Sequence, residues 1–317
     1  MKIAIIGSAI YDSMEYHLNE SFNFNGYSSR IFDLPQGNSF SEVVDSKVFM
    51  DMVKDVDQYH PELVIVTYRF VHPDFVIRIK EMGYTIIHIN PDPLTNFRAQ
   101  QIFVEAYDLY FTKDPFIKRF MESNLKLNVK LYNEAFNQRV HIKPDVEKLE
   151  YEKEFDIDVM TYGSMYPYRS RILRILADHD IDITLFGYTN HPFYDPSLDQ
   201  HHSGYYISGE GKAKILYGSK IVFNSFTYSE IESVNKRFFE ANGSGAFQLS
   251  DYRPILKDLL PIDPELVSFK STDEAVEKIR YYLDHPEERV AIAQKVYDHF
   301  IARYTYDHLT MHILKSI

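Results

Sequence analysis

The chain carries the same short pattern twice: an apolar strand runs into a Gly-Ser turn, and a helix and a second strand follow. The first copy starts at Lys2–Ile6 and turns at Gly7-Ser8. The second starts near residue 156 and turns at Gly163-Ser164. A strand, a glycine turn, a helix and a parallel strand form the opening unit of a Rossmann-like domain. Two copies so far apart predict two such α/β domains in tandem.

The first half continues as a regular alternation of helices and strands. The run "ELVIVTY" is apolar throughout, which is typical of a strand buried in a parallel sheet. The predicted helices span 14–22, 47–59, 73–82, 96–106 and 115–123, and the other strands are "SSRIFD", "TIIHIN", "LYFT" and "NVKLY". The polar stretch 140–153 lacks strand periodicity, so we interpret it as the linker. The predicted domains are therefore 1–148 and 149–301.

The second half repeats this alternation. Helices are predicted over 169–178, 211–217 and "YRPILKDL", and strands over "IDITLFG", "KIVFNSF", "AFQLS" and "LVSFKS". From Thr272-Asp273, a predicted N-cap, the chain is helical almost to its end, with a break at His285-Pro286. In α/β proteins ligands bind at the carboxyl ends of parallel strands, where glycine turns meet helix N-termini.

Composition excludes several classes of function. The formal net charge of −12 disfavours nucleic acid and anionic membranes as partners. The absence of cysteine excludes disulfides, thiol nucleophiles and cysteine zinc sites, and it fits a cytoplasmic protein. No apolar run approaches the roughly 18 residues that span a bilayer, so no transmembrane segment is predicted. The N-terminal apolar run is broken at Gly7-Ser8, and we interpret it as a strand rather than a signal peptide.

The stretch "SEIESVNKRFFEANGSGAFQLSDY", residues 229–252, contains the most informative motif. Asn235 is a predicted N-cap, and Gly243 a predicted end, for a helix that starts at Lys236. Arg237 and Glu240 then lie on one face, three residues apart. A guanidinium at a helix N-terminus suits phosphate oxygens, and a carboxylate one turn on can accept hydrogen bonds from a ribose diol. A solvated surface pair explains the same spacing, and both interpretations stay open.

Two other stretches are candidate sites. The Gly163-Ser164 turn precedes a helix with Arg169, so an anion site is one interpretation and an ordinary strand-to-helix turn is the other. In "HINPDPL", prolines flank Asp92 at the end of a strand and hold it rigidly. The alternative interpretation is a helix N-cap or turn aspartate, which the pattern alone favours over a site.

Acidic and histidine pairs do not predict a metal site. Asp156 and Asp158, like Asp180 and Asp182, precede strands in which alternation of polar residues is common. The adjacent histidines at 201 and 202 have no carboxylate or cysteine companions. No nucleophile motif is present either. We predict no metal and no separate cofactor.

The order of several motifs resembles a known family. They are "PELVIVTYRFVHPDFVIRIKEMGYTIIHINPDP", "AYDLYFTKD", "YGSMYPYRSRILRIL", "ITLFGY", "YGSKIVFNSF", "NKRFFEANGSGAFQLSDY" and "YLDHPEERVAIAQKVYDHFIARYTYDHLTMHIL". Together they resemble the CgeB-like (spore maturation protein) glycosyltransferases of the GT-B superfamily. The resemblance implies an α/β fold of GT-B type, with two Rossmann-like domains facing across a cleft. It also implies that the last helix, 302–317, joins the N-terminal domain.

The resemblance also implies roles for individual residues. The expected set that binds the nucleotide-sugar comprises Gly163, Ser164, Arg169, Gly187, Arg237 and Glu240. In it, Gly163 and Ser164 approach the diphosphate, Arg237 binds phosphate and Glu240 holds the ribose. The expected catalytic set is Asp92, Glu232 and Arg237, with Glu232 at the position of the first glutamate of a Glu-x7-Glu motif.

The function implied is transfer of a sugar from a nucleotide-diphosphate donor, of UDP type, to an acceptor that the sequence does not name. The resemblance further implies a metal-independent reaction that retains anomeric configuration. A sugar-nucleotide epimerase on the same fold and a nucleotide-sugar-binding protein without turnover are the alternatives. Oligomeric state, donor sugar and acceptor are not predicted.

Overall fold

A computed structural model describes residues 1–33, 47–67, 71–89, 91–94, 106–189 and 194–317. The chain forms two compact units. The first unit consists of Met1–Glu134, Tyr228–Ser233 and Tyr306–Ile317, and the second consists of Ala135–Thr227 and Val234–Thr305.

A parallel sheet forms the centre of the first unit. Its strands are β1 (Lys2–Gly7), β2 (Ser28–Asp33), β3 (Leu63–Val66), β4 (Thr85–Ile89), β5 (Leu109–Thr112) and β6 (Val129–Leu131). Their order is β2-β1-β3-β4-β5-β6. All four residues of β3 are buried, as expected for a strand with helices on both faces.

Helices of the first unit connect these strands. They are α1 (Met14–Phe24), α2 (Lys47–Tyr59), α3 (Pro73–Glu81) and α4 (Pro115–Leu125), and the predicted helix 96–106 falls almost wholly outside the described residues. The oxygen of the Ser13 side chain caps α1, and that of Asp114 caps α4. The helix Tyr306–Ser316 also belongs to this unit, where Asp307 accepts a 2.6 Å hydrogen bond from Ser21 of α1.

The second unit contains another parallel sheet. Its strands are β7 (Ile157–Tyr162), β8 (Ile183–Phe186), β9 (Ser219–Asn224), β10 (Gln248–Asp251) and β11 (Ser268–Phe269), in the order β11-β10-β9-β7-β8. Its helices are α5 (Lys148–Phe155), α6 (Pro167–Asp178), α7 (Gly209–Gly218), α8 (Lys236–Gly243), α9 (Leu256–Leu259), α10 (Thr272–Asp284) and α11 (Pro286–Ile301). The next helix in the chain, Tyr306–Ser316 of the first unit, is α12. Two short 3-10 helices, Pro196–His201 and Pro264–Leu266, complete it.

Helix α5 covers residues of the stretch that the sequence analysis assigned to the linker, 140–153. Its Glu152 accepts two hydrogen bonds, of 2.6 and 2.9 Å, from the guanidinium of Arg289 in α11, and both side chains are buried. The charged residues of this stretch are typical of a solvated linker. The partner of Glu152 lies 137 positions away in the sequence, so no local pattern indicates the contact. A buried, bidentate pair of this kind holds the helix against the unit.

Smaller differences concern helix ends. The predicted helix "YRPILKDL" is reduced to the four residues of α9. Ser271, rather than Thr272-Asp273, caps α10, because its hydroxyl accepts from the N–H of Glu274. The predicted break at His285-Pro286 is confirmed, since α10 ends at Asp284 and α11 begins at Pro286. Among the described helices, none has the length and apolar character needed to cross a bilayer.

Candidate active site

Two glycines meet at the carboxyl ends of β7 and β8. Gly163 has φ +95° and Gly187 has φ +131°, backbone conformations that other residues rarely adopt. The N–H of Gly163 donates to the carbonyl of Phe186 at 2.9 Å. A Cβ on Gly187 would collide with the backbone of Gly163. Both glycines are therefore required by local geometry, and their contact sets the path of the turn after β7.

Ser164 follows directly and is half-buried. Its carbonyl accepts a hydrogen bond from Arg169. Neither its amide N–H nor its hydroxyl makes a hydrogen bond with any residue that the structure describes. The Gly163 amide, in contrast, is engaged within the sheet. Of the two amides assigned to the diphosphate, that of Ser164 is the one available to a ligand.

The helix that carries Arg237 begins as predicted. Asn235 caps it by accepting from the N–H of Phe238 at 3.1 Å, and the helix spans Lys236–Gly243. The side-chain amides of Asn235 and Asn224 donate to each other at 3.0 Å in both directions. Asn224 ends β9, so this pair ties the start of the helix to the sheet.

Arg237 lies against the ends of two strands. Its Nη1 donates to the carbonyl of Tyr162 at 2.7 Å, and its Nη2 donates to the carbonyl of Ser225 at 2.9 Å. Its guanidinium carbon lies 5.7 Å from the centre of the Tyr162 ring. These contacts fix the orientation of the guanidinium at the point where β7 and β9 end.

Arg169 reaches the same point from α6. Its Nε donates to the hydroxyl of Ser225 at 3.2 Å, and the residue is 3 % exposed. A Cβ on Gly163 would lie 3.7 Å from Cδ of Arg237 and 3.8 Å from Nη1 of Arg169, so both arginines flank the glycine. We call Gly163, Ser164, Arg169, Ser225 and Arg237 the arginine cradle. It concentrates two permanent positive charges at a strand end, which is suited to an anion.

Glu240 lies beside the cradle but is deeply buried, at 3 % exposure. Lys212 and Lys236 contact its Oε1 at 2.9 and 3.1 Å, and the Tyr162 hydroxyl donates to its Oε2 at 3.1 Å. His141 lies 3.8 Å from Oε1. The ribose role of Glu240 stays a prediction.

Asp92 and Glu232 lie in the first unit, whereas the six residues of the predicted nucleotide-sugar set lie in the second. Asp92 acts electrostatically on Lys113, a buried lysine. The ammonium of Lys113 lies 2.8 Å from Glu230 and 3.4 Å from Glu134. Burial lowers the pKa of Lys113, but the two carboxylates outweigh it and raise the pKa above its usual value. Lys113 is therefore charged.

Glu232 is bound by two neighbours of the first unit. Both of its carboxylate oxygens accept from the guanidinium of Arg119, at 2.7 and 2.9 Å. Its backbone N–H donates to Asp114 at 2.9 Å. The Ser233 hydroxyl donates to the same Asp114 oxygen at 3.0 Å.

The acidic pairs set aside as metal ligands have structural roles. Asp156 and Asp180 adopt left-handed conformations, with φ of +49° and +58°; Asp156 lies directly before β7, and Asp180 lies three residues before the start of β8. Asp158 forms an ion pair with Lys220 of the neighbouring strand.

Sequence reasoning missed Ser225, Lys212 and Lys236. Ser225 could have been identified as the residue that ends the apolar run "KIVFNS", at the carboxyl end of a strand. Lys236 lies four residues before Glu240 in the same helix, a spacing that the sequence itself shows, whereas only the fold brings Lys212 of α7 to Glu240.

Comparison with solved structures decides the fold. The Anabaena protein HepE in complex with UDP and glucose matches with a TM-score of 0.71 at 12 % identity, over 100 % of both chains. Sucrose-phosphate synthase from Thermosynechococcus elongatus matches with a TM-score of 0.70 at 11 % identity, over 99 % of this chain and 98 % of that one. The chain has the GT-B fold. A glycosyltransferase from Rickettsia africae ESF-5 shares this GT-B fold, with a TM-score of 0.68 at 11 % identity, over 99 % of this chain and 97 % of that one.

Sequence comparison adds a family match. Residues 169–315 match the family model described as "Glycosyl transferase-like". The matched range contains Arg169, Arg237 and Glu240. No curated protein matches the chain. The predicted α/β fold of GT-B type is confirmed, and the family match together with the GT-B fold supports the predicted glycosyltransferase enzyme.

Proposed function

We propose that the protein transfers a sugar from a UDP-sugar to an acceptor hydroxyl, as a CgeB-like glycosyltransferase. The observation that carries this proposal is the arginine cradle. Arg169 and Arg237 both bind Ser225 and both flank Gly163, next to an amide and a hydroxyl of Ser164 that are open to a ligand. A UDP-type donor is proposed because HepE is solved with UDP, with UDP and glucose, and with UDP-glucose on the same fold.

The chemistry requires stabilisation of the leaving group. When the bond between the sugar and the diphosphate breaks, negative charge develops on the diphosphate oxygens. Donors that are already oriented stabilise such charge most, because they need no reorganisation during the reaction. The guanidinium of Arg237, held by two backbone carbonyls, and the amide of Ser164 are such donors. In this mechanism the Arg237 guanidinium and the Ser164 amide stabilise the charge of the leaving diphosphate, a task that a metal ion performs in other enzymes.

Residues of the first unit have proposed roles on the sugar and the acceptor. Asp92 orients the acceptor hydroxyl and accepts its proton as the new glycosidic bond forms. Glu232 acts next to the donor sugar, and the proposed outcome is retention of configuration. These roles follow from the resemblance of the Asp-Pro loop and the Glu-x7-Glu motif.

The first experiment is binding of UDP and UDP-glucose by titration calorimetry. We expect the wild-type protein to bind both, and Arg237→Ala to weaken both by at least roughly tenfold, because one charge-assisted contact to phosphate contributes about 1.5–3 kcal/mol. Arg174→Ala is the matched control, since Arg174 is an arginine of α6 that pairs with Asp178 on the surface. Equal UDP affinity in wild type and Arg237→Ala would refute the phosphate role.

A second experiment separates the proposed activity from its alternatives. Wild-type protein is incubated with UDP-glucose, with and without a panel of hydroxyl acceptors, and the products are identified by mass spectrometry and NMR. A glycosylated acceptor and free UDP support the proposal. A new UDP-hexose formed without acceptor indicates an epimerase, and binding with no product from any acceptor indicates a binding protein.

A further inference from the structure

A cavity lies beside the arginine cradle, at the carboxyl ends of β10 and β11. Its volume is about 330 Å³. It is lined by Ile172, Asp251, Tyr252, Arg253, Phe269, Lys270, Ser271 and Thr272. None of these residues belongs to the arginine cradle. Three of them, Asp251, Tyr252 and Arg253, are consecutive and are all half-buried.

Asp251 offers a hydrogen-bond acceptor to the cavity. Its Oδ2 accepts from the backbone N–H of Phe226, which fixes the carboxylate. Its Oδ1 accepts no hydrogen bond from any described residue. Burial raises the pKa of this carboxyl, while the Phe226 N–H and the nearby arginines oppose that rise. One oxygen of the carboxylate is thus anchored and the other is open.

Arg253 offers hydrogen-bond donors to the same cavity. Its Nη1 donates to the carbonyl of Tyr252 at 3.1 Å, and its guanidinium carbon lies 5.6 Å from the centre of the Phe226 ring. It forms no ion pair within 4 Å with an acidic residue in the described ranges, Asp251 included. A guanidinium has five N–H donors in a fixed plane, and a single contact leaves most of them unused.

The cavity lies next to the cradle. Phe226 follows Ser225 in the chain and contacts both Asp251 and Arg253. Strand β10 pairs with β9, and β9 pairs with β7, so Asp251 and Gly163 are about 10 Å apart along the sheet edge by the usual strand spacing. The charges of Arg237 and Arg169 also reach Asp251.

We propose that this cavity binds a single pyranose ring of a carbohydrate substrate. An open carboxylate oxygen beside unused guanidinium donors matches two neighbouring sugar hydroxyls, one of which donates while the other accepts. Tyr252 and Ile172, which line the cavity and are half-buried, supply apolar surface for the C–H groups of the ring. Ligand pockets for larger molecules range from roughly 300 to 1,000 Å³, so this cavity suits one ring and not an oligosaccharide.

The inference rests on the proposed function, because the ring would belong either to the UDP-sugar or to the acceptor. Both sources present the same chemistry to Asp251 and Arg253. The strand spacing between the cavity and the cradle is compatible with either one.

The test uses the full chain and two variants, Asp251→Asn and Arg253→Ala. Asp251→Asn keeps an oxygen for the Phe226 N–H, and Arg174→Ala is the control arginine on α6. Saturation-transfer NMR with free glucose and galactose reports ring binding directly, without a nucleotide. Calorimetry with UDP and UDP-glucose, and KM for each active acceptor, distinguish the two sources. Circular dichroism confirms that each variant is folded.

We expect the monosaccharide signal to fall at least fivefold in both variants and to persist in the control. If the ring belongs to the donor, the variants bind UDP as wild type does but lose affinity for UDP-glucose at least tenfold. If it belongs to the acceptor, donor binding is unchanged and KM for the acceptor rises at least tenfold.

Failure of this inference is distinguishable from failure of the proposed function. Wild-type monosaccharide signals in folded Asp251→Asn and Arg253→Ala would overturn the ring site, even if UDP binds normally. Absence of UDP binding to the wild type would overturn the proposed function. In that case a monosaccharide signal that both variants abolish still supports the ring site.

Discussion

Both carboxylate oxygens of Glu232 accept hydrogen bonds from the guanidinium of Arg119, at 2.7 and 2.9 Å. The pair is largely exposed, with side-chain exposures of 37 % and 59 %. Exposed pairs contribute little to stability, because water screens the charges and two side chains lose freedom. A two-point contact of this kind nevertheless fixes the direction of a carboxylate. Its effect should therefore be seen in activity and not in stability.

The first prediction separates these two effects. We expect Glu232→Gln to lower kcat roughly 100-fold, a loss typical of a group that acts in the transition state. We expect Arg119→Ala to lower kcat less, because the carboxylate stays but its direction is lost. The thermal midpoint should be unchanged in both. Glu150→Gln removes the exposed pair with Lys153 and is the control. Full turnover in Glu232→Gln would exclude the catalytic role.

The second prediction concerns the open space in front of Gly163. Gly163 and Gly204 both have positive φ, +95° and +86°, so alanine strains each backbone to a similar degree. Around Gly204 no atom lies within 4 Å of the added Cβ, whereas at Gly163 the methyl group would lie between the two cradle arginines. We expect similar thermal midpoints, but UDP affinity at least tenfold weaker in Gly163→Ala only. Equal UDP affinity in the two variants would place the nucleotide elsewhere.

The third prediction concerns the buried charge of Glu240. Lys212 is 5 % exposed on its side chain and pairs with this carboxylate at 2.9 Å. Glu240→Gln leaves the ammonium without its counter-charge, so we expect a loss of roughly 3–5 kcal/mol in the free energy of unfolding. The double variant Glu240→Gln, Lys212→Met should recover part of this loss, as measured in urea. Additive losses would show that the two side chains do not interact.

The fourth prediction concerns Lys148 and pH. Burial lowers the pKa of this lysine to about 8, although Glu152 at 3.0 Å opposes the shift. In the unfolded chain the ordinary pKa is 10.5, so the unfolded state holds more protons between these values. The contribution of Lys148 to the free energy of unfolding therefore rises with pH through this window.

We expect wild type to gain about 2 kcal/mol relative to Lys148→Met between pH 7.5 and pH 9.5. Urea unfolding at both values measures the difference, and comparison with the variant removes the tyrosines and other groups that titrate nearby. A difference that is constant or falls with pH would show that Lys148 keeps its proton in the folded protein.

Much of the fold can be predicted from local patterns. The two strand–glycine–helix repeats, the continuous apolar strands and the Asn235 cap each depend on neighbours in sequence. Contacts between distant residues cannot be predicted in this way. Helix α5 was missed because its partner is Arg289, and the cavity residues Asp251 and Arg253 were missed because strand pairing alone brings them near Phe226.

The candidate site was predicted in part for the same reason. Gly163, Arg169 and Arg237 each stand out by residue type beside a strand or helix end, and the structure brings all three together. The burial of Glu240 and the contact of Glu232 with Arg119 depend on tertiary packing, which spacing does not report.

The missing side chain of Gly187 has a consequence outside its own strand. Because the backbone of Gly163 occupies the space where a Cβ would be, any larger residue at 187 must displace the turn that presents Ser164. The selectivity of the proposed anion site is thus expected to be sensitive to a residue that need not touch the ligand. Homologues that replace this glycine should show a rerouted turn and altered preference for the donor.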